Sequence, residues 1–387
     1  MPDIFERERR WIQPTYTRQP VVIRRGRGAY VWDDHGRMYL DFLAGIAVNN
    51  IGHCHPRVVE AIKNQAENLI HTSNLYYTEK QVELAERLCD ISGMNKVFFC
   101  NSGTEAVEGA LKLSRRHTGK KKIIAAKGSF HGRTFGSLSV TDKPEYQKPF
   151  QPLLPAVSFV PYNDAEAIED EIDDDTACVI LEPVQGEGGV NIPDDEYLRA
   201  VREICDENDL LLILDEVQTG FGRTGKWFGK DHAGVTPDIM TLGKAIAGGL
   251  PMGALLTREG IEFGPGEHAS TFGGGPLVCS AAIATIEVIS SEDLITNAAE
   301  MGDILLRELK KLELEVAKDI RGKGLMVGME LLKEGAEIVD LFRESGVLIN
   351  CTAKRVLRFL PPLIIGEEEI SRLIQVFLER RDEIESI

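Results

Sequence analysis

Residues Leu210–Gly249 read LLLILDEVQTGFGRTGKWFGKDHAGVTPDIMTLGKAIAGG, and they set two charges at the ends of two apolar runs. Leu210 to Leu214 is too short for a helix and apolar on both faces, which predicts a central parallel strand ending at Asp215. A second run, Asp238 to Leu242, ends at Gly243-Lys244 and passes into a small-residue segment where backbone and ligand can approach closely. Ligands of open α/β sheets sit at the carboxyl ends of strands, so Asp215 and Lys244 are expected to face one crevice. For an isolated Asp and Lys, a simple salt bridge is the plainer reading.

Working outward, short buried runs separated by helical stretches recur at Val97–Cys100, Ile123–Ala126, Val157–Val160, Cys178–Leu181, Leu211–Leu214, Ile239–Leu242 and Gly253–Leu256. That alternation predicts an α/β fold with a doubly wound, mostly parallel, seven-stranded sheet. Before it, strand-like Val21–Ile23 and Ala29–Trp32 with a turn at Asp33–Gly36 suggest an antiparallel meander. Thr78 to Gln81 has the form of a capping box opening a helix, with Val82, Ala85, Leu88 and Cys89 on one face. After about Gly275 comes a stripe of Leu294, Ala298, Met301, Leu305 and Leu309. Strand-like Gly324–Leu331 and Val356–Leu360 follow, then a terminal helix with Ile370, Leu373, Ile374, Phe377 and Leu378 facing the core. The expected division is therefore residues 1–50 and 273–387 in a smaller α+β domain built from both ends, and 51–272 in a large one.

Composition narrows the function. The 44 basic and 61 acidic residues, net −17, argue against a general nucleic-acid surface, so anionic substrates would have to meet a few local arginines. Seven scattered cysteines without zinc spacing, and no leader-like opening, point to a reducing compartment, the cytoplasm. No apolar run reaches the roughly 20 residues of a membrane span. His53 and His55 form an HxH pair, but no third ligand cluster accompanies them, and no metal is expected.

Asn101–Ala106, NSGTEA, follows the first central strand. Ser102 and Glu105 have capping-box spacing, and a helix start with glycine and threonine offers the free amides and hydroxyl that a phosphate monoester needs. Lys127–Ser139, KGSFHGRTFGSLS, groups Phe130, His131 and Arg133. Glu182–Val190, EPVQGEGGV, places Glu187 among glycines, and VLRFLPPL sets Arg358 in an apolar strand-like run where an unpartnered guanidinium is costly. His268 onward, HASTFGGGPLVCSAA, brings Ser270 and Thr271.

DEVQTGFGRTG and TLGKAIAGGLPMGA, with the stretches above, resemble the class III (subgroup II) pyridoxal-phosphate-dependent aminotransferases over nearly the whole chain. The resemblance implies fold type I of the pyridoxal-phosphate enzymes and pyridoxal 5'-phosphate as cofactor. It makes Lys244 the covalent attachment point and Asp215 the partner of the pyridine nitrogen, a carboxylate that keeps the ring cationic and electron-withdrawing. It further implies that Gly103 and Thr104 bind the phosphate, that Phe130 and Val217 flank the ring, and that Gln218 is a cofactor contact. Arg133 would take the substrate carboxylate remote from the reacting carbon, through two parallel bonds. Arg358 would take the α-carboxylate of glutamate or 2-oxoglutarate, with Glu187 as its gate and Ser270 as a further substrate contact. Thr271 would bind the phosphate of the neighbouring subunit's cofactor, which implies a homodimer with shared sites.

Within that family the motifs AGIAVNNIGHCHP, SNLYYT and LRFLPPL are most similar to members that use N2-acetylornithine and 2-oxoglutarate in arginine biosynthesis. Ornithine-using members carry a tyrosine near Ile46, which speaks for an acylated donor here. Ornithine, 4-aminobutyrate and acyl-lysine or lysine-pathway donors are the runners-up. An aminomutase, a racemase or a non-catalytic binding protein is disfavoured by the intact Lys244 and by the pairing of Arg358 with Glu187. A phosphate-loop reading of Gly243-Lys244 fails for want of the preceding glycine spacing. Gly275 stands where relatives often have asparagine, and a change in loop stiffness is expected there.

Overall fold

Residues 3–387 are described by a computed structural model. Strands Lys96–Cys100, Lys122–Ala126, Val157–Val160, Thr176–Leu181, Leu211–Asp215, Ile239–Leu242 and Gly253–Thr257 form the seven-stranded central sheet, so each run picked out by its apolarity is one of its members. Only Gly253–Thr257 runs antiparallel to its neighbours, Lys96–Cys100 and Ile239–Leu242. Thr176–Leu181 and Leu211–Asp215 lie next to each other, are buried at every residue, and place their carboxyl ends side by side. Burial on both faces is why these strands show no polar alternation.

Two four-stranded sheets complete the fold. One joins Ile23–Arg27, Tyr30–Asp33 and Met38–Asp41 to Val347–Leu348 from the far end of the chain; the other contains Ala317–Lys323, Met326–Leu331, Val356–Phe359 and Asn350–Thr352. The N-terminal meander is present, but its first strand is Ile23–Arg27 rather than Val21–Ile23, because Arg27 pairs with Tyr30 across the turn at Gly28. The expected strand from Gly324 begins at Met326. It is the second arm of a hairpin whose polar first arm, AKDIRGK, has no apolar signature.

Two helices also differ in detail. Glu79–Ser92 forms, but Thr78 makes no side-chain cap, and the Gln81 side chain is not turned back to the helix start: its Nε2 donates to Asn74 Oδ1 at 2.7 Å and the Gly274 carbonyl at 3.2 Å. Its buried face is centred on Leu84 and Leu88, and Val82 is half exposed. On the last long helix, Glu367–Glu379, Val376 takes the core position and Leu378 is exposed. Half of the expected capping box forms at Ser102: Ser102 Oγ accepts from the Glu105 amide, while Glu105 Oε2 accepts at 3.0 Å from the amide of Asn101 rather than from that of Ser102. His53 pairs with Asp41 at 2.8 Å, and His55 caps the helix Pro56–Asn68 and meets Glu292 at 3.1 Å.

Asp41 also anchors an uncommon turn. Ala44, Gly45, Ile46 and Ala47 all have positive φ, between 50° and 66°, and Asp41 Oδ1 accepts from the amides of Leu43 and Ala44 at 2.9 Å each. Left-handed backbone costs about 1–2 kcal/mol at each residue with a side chain. The turn fixes where Ile46 projects, with its side chain partly exposed.

The central sheet and the C-terminal region meet at Arg223, which is fully buried. Its guanidinium donates to the carbonyls of Leu325 at 2.8 Å and Pro361 at 2.6 Å and to Asn50 Oδ1 at 2.6 Å. Beside it, helix Leu294–Lys311, the hairpin turn at Gly324 and the loop Thr224–Gly225 touch backbone to backbone. A Cβ on Gly302 would lie 2.3 Å from the Gly324 carbonyl oxygen. Gly302→Ala should therefore lower stability by about 1–3 kcal/mol through overpacking. Urea denaturation checks this, and an unchanged midpoint would contradict the close approach.

Candidate active site

At the carboxyl end of the sheet lies a cavity of about 300 Å³, and Asp215 and Lys244 both line it. They do not neutralise each other directly. Asp215 Oδ2 meets His131 Nδ1 at 2.7 Å, and Asp215 Oδ1 accepts from the Val217 amide at 3.0 Å. Burial alone would push the His131 imidazole down, but its hydrogen bond to Asp215, that carboxylate's charge and Glu182 nearby leave its pKa raised. His131 is thus suited to carry a proton and a positive charge beneath the Asp215 carboxylate.

Glu182 is the second buried carboxyl of the cavity. Its oxygens accept from the amides of Phe130 at 3.0 Å and Gly186 at 3.1 Å. Burial, reinforced by Asp215 and opposed by His131, holds its pKa up at about 7. Neither His131 nor Glu182 is given a role by the sequence reading, although both stand inside motifs it quotes. The one available signal was a histidine beside an aromatic in a loop that leaves a buried strand.

Lys244 opens a short 3-10 turn with φ of 47°, a left-handed conformation that carries strain in a residue with a side chain. Burial pushes its pKa down to about 8; Glu187 opposes that shift and Arg358 adds to it. An amine so placed is substantially neutral near pH 8 and therefore nucleophilic.

The rest of the lining suits a flat, phosphorylated aromatic. Phe130 and Val217 both face the cavity, and Gly243 packs on Gly103 so closely that a Cβ there would lie 3.1 Å from the Gly103 backbone. Ser102, Gly103 and Thr104 bring the start of the helix Gly103–Thr118 to the same space, with its unpaired amides. Thr104 Oγ1 is 2.6 Å from Ser137 Oγ and 2.9 Å from Thr134 Oγ1, which orients the hydroxyl. His131 Nε2 is buried without a partner among the described residues. A buried carboxylate, an amine, two apolar walls and a helix start in one cavity fit pyridoxal phosphate.

Glu187, Gln218 and Arg358 form a connected group beside this cavity. Glu187 Oε1 lies 2.6 Å from Arg358 Nη1, and Arg358 Nε donates to Asn350 Oδ1 at 3.2 Å, with Gln218 Oε1 at 3.4 Å from Nη1. Arg358 is fully buried, whereas the Glu187 side chain is 29% exposed and lines the cavity. Burial would raise the Glu187 carboxyl, but Arg358 and then Lys244 hold it below its ordinary value. Arg133 also lines the cavity, exposed, with its guanidinium stacked over Tyr146 at 3.3 Å. Ser270 and Thr271 do not join these residues. Ser270 Oγ accepts from Asn101 at 3.2 Å and from the Gly273 amide at 3.0 Å, and Thr271 is exposed beside Phe272. Gly275 has φ −60° and caps the helix Pro276–Ser291 with backbone any residue can adopt.

In the cofactor-free protein, reductive methylation of Lys244 followed by mass spectrometry should rise with pH to a half-maximum near 8, because only the neutral amine reacts. Replacing Glu187 by glutamine removes an anion that favours the charged amine, so the midpoint should fall further. A midpoint equal to that of surface lysines would contradict the burial of this amine.

Comparison with known proteins places these features in a family. Residues 12–379 match the family model for aminotransferase class-III. The chain is 56% identical to an acetylornithine aminotransferase of Methanosarcina acetivorans over 96% of this chain and 95% of that one. It is 54% identical to one of Methanothermobacter thermautotrophicus, covering 97% of each. Among solved structures, an ornithine aminotransferase of Toxoplasma gondii with PLP partially occupying its active site superposes with TM-score 0.95 at 35% identity, covering 98% of this chain and 94% of that one. An acetylornithine aminotransferase of Elizabethkingia anophelis superposes with TM-score 0.88 at 34% identity, covering 98% of each. The chain belongs to the class-III aminotransferases, enzymes that work with pyridoxal 5'-phosphate.

Proposed function

We propose that the chain moves the terminal amino group of N2-acetylornithine to 2-oxoglutarate, giving N-acetylglutamate 5-semialdehyde and glutamate, and that it works as a homodimer in the cytoplasm. The observation that carries the two-substrate reading is the 2.6 Å contact between Glu187 and the buried Arg358. An ω-amino donor has no carboxylate beside its reacting carbon, whereas glutamate has one. With the donor bound, Glu187 neutralises Arg358; with glutamate bound, the α-carboxylate takes its place and Glu187 turns into the cavity. The guanidinium is then paired in both half-reactions, as a buried charge must be.

When bound, pyridoxal phosphate supplies an aldehyde that takes up the amine and a ring that draws electrons from the substrate carbon. Asp215 would meet the ring nitrogen, and His131 offsets the cost of holding that carboxylate in the interior. Phe130 and Val217 would line the ring and exclude water. Gly103 and Thr104 would hold the phosphate at the helix start, with Gln218 as a further contact. Lys244 would attach the cofactor, and its buried amine is the base placed to move a proton at the substrate carbon. Such acid–base assistance contributes on the order of 10²–10⁴ in rate. Arg133 meets the distal carboxylate of either substrate.

The donor assignment rests on the names of the relatives above and on Ile46, where a tyrosine would be expected for free ornithine. Dimerisation is supported by an exposed patch beside Thr271: Leu75, Tyr76, Tyr77 and Phe272 are 84%, 67%, 102% and 64% exposed. Single chains rarely leave so much apolar surface in water. On this reading Ser270 and Thr271 complete the partner subunit's site, which is why they stand outside this chain's own cavity. No helix among the described residues is long and apolar enough to cross a membrane. The seven cysteines are all unpaired, which agrees with a reducing compartment.

A donor panel against 2-oxoglutarate tests the assignment. N2-acetylornithine should exceed ornithine in kcat/KM by at least about tenfold, the scale of one lost polar contact; equal or reversed values would reject it. Single-turnover spectroscopy of Glu187→Gln should show glutamate reacting as well as or better than in the wild type. The donor half-reaction should be slowed, since an unpaired guanidinium must then be buried against an apolar chain. Equal losses in both halves would remove the gate.

A further inference from the structure

The residues that hold the gate loop share one face of the small sheet that carries Arg358. Strand register sets Arg321 opposite Gly328, Gly328 opposite Arg358, and Arg358 opposite Asn350. The neighbouring row on the same face is Asp319, Glu330, Val356 and Thr352, because directly opposed residues and alternate residues of a strand project to one side. Two arginines thus flank a glycine in a single row.

Several members of this face take hold of the loop that bears Glu187. Arg321 Nε donates to the Val190 carbonyl at 3.0 Å, and its Nη2 donates to the Gly189 carbonyl at 2.8 Å and to Asn191 Oδ1 at 3.3 Å. Its Nη1 rests on Asp319 at 2.7 Å and Glu330 at 2.8 Å, so its charge is already met and the rest of the fork is free to act on backbone oxygens. Thr352 Oγ1 donates to the Glu187 carbonyl at 2.9 Å. Val190 seats over Gly328, where a Cβ would come within 2.9 Å of the valine Cβ. Val190 has φ of 53° and is fully buried, a left-handed conformation that a β-branched residue keeps only when its surroundings enforce it.

From the cofactor side the same loop is closed by the paired backbones of Gln185 and Asn191 and by the bond from the Gly186 amide to Glu182. Its backbone is held from both sides, which leaves the Glu187 side chain as the part that can move. A guanidinium and a carboxylate 2.6 Å apart tolerate little displacement of either main chain.

We propose that Arg321, seated beside Gly328, is a positioning residue for the gate: by fixing the Gly189–Asn191 backbone it registers Glu187 on Arg358 and so sets the balance between the two half-reactions. This inference rests on the gate reading given above. Loosening the loop leaves Arg358 more often unpaired. The donor half-reaction should lose, chiefly through KM, and the glutamate half-reaction should keep its rate or gain.

The test compares Arg321→Ala, Arg321→Lys, Gly328→Ala and Glu187→Gln holoenzymes in separate half-reactions, with thermal unfolding of each. Arg321→Ala and Gly328→Ala should lower donor kcat/KM about tenfold while glutamate kcat/KM changes less than about twofold, the asymmetry of Glu187→Gln in kind. Arg321→Lys keeps the charge but cannot span two carbonyls, and should fall between. Combining Arg321→Ala with Glu187→Gln should add nothing to the asymmetry, because both act on one contact. If Glu187→Gln is asymmetric but the Arg321 and Gly328 variants slow both halves alike, the proposal is overturned and the gate stands. If Glu187→Gln itself shows no asymmetry, the gate reading fails first. Should Arg321→Ala not fold, Arg321→Lys and Gly328→Ala decide by the same criterion.

Discussion

The site depends on giving Asp215 a partner inside a buried cavity. A carboxylate taken out of water without one is costly. The 2.7 Å contact with His131 answers that need, while the Val217 amide occupies the other oxygen. Glu182, so close by, cannot share the same solution; it sits near its midpoint at neutral pH and is held by two backbone amides. The three carboxyls of this pocket are therefore met differently: Asp215 by His131, Glu182 by two backbone amides, and Glu187 by Arg358, which holds it below its ordinary value.

This pairing explains why Lys244 stays reactive. Three carboxyls around an amine would ordinarily raise its pKa, and burial would lower it. Each of the carboxyls has been given its own partner, so desolvation prevails and the amine falls to about 8. Asp215 and Glu182 are each hydrogen-bonded without drawing on the lysine.

The sequence made the central sheet legible because its strands are buried on both faces and read as unbroken apolar runs, Leu211 to Leu214 most clearly. It made Asp215, Lys244 and Arg358 stand out because charge at the end of, or inside, such a run demands an explanation; Glu187, in a glycine-rich loop, is marked only by the family resemblance. Where it failed, the deciding partner was distant. Gln81 has the right spacing for a capping box yet spends its amide on Asn74 and Gly274. Ala317–Lys323 is a strand by pairing alone, since its sequence, AKDIRGK, has no apolar run. Thr352 and Arg321 carry no local mark, since their meaning lies in register across three strands.

Arg223 has a consequence for how the chain reaches this state. Its buried guanidinium has no carboxylate partner and relies on oxygens contributed by residues 50, 325 and 361. Until the polypeptide has been made as far as Pro361, the DEVQTGFGRTG loop holds a cation that has no dry place to go. The guanidinium can therefore be fully desolvated only once oxygens from both ends of the chain have gathered around it. A chain cut short before that proline would keep its sheet-forming runs but would lack one of the three oxygens that satisfy this arginine.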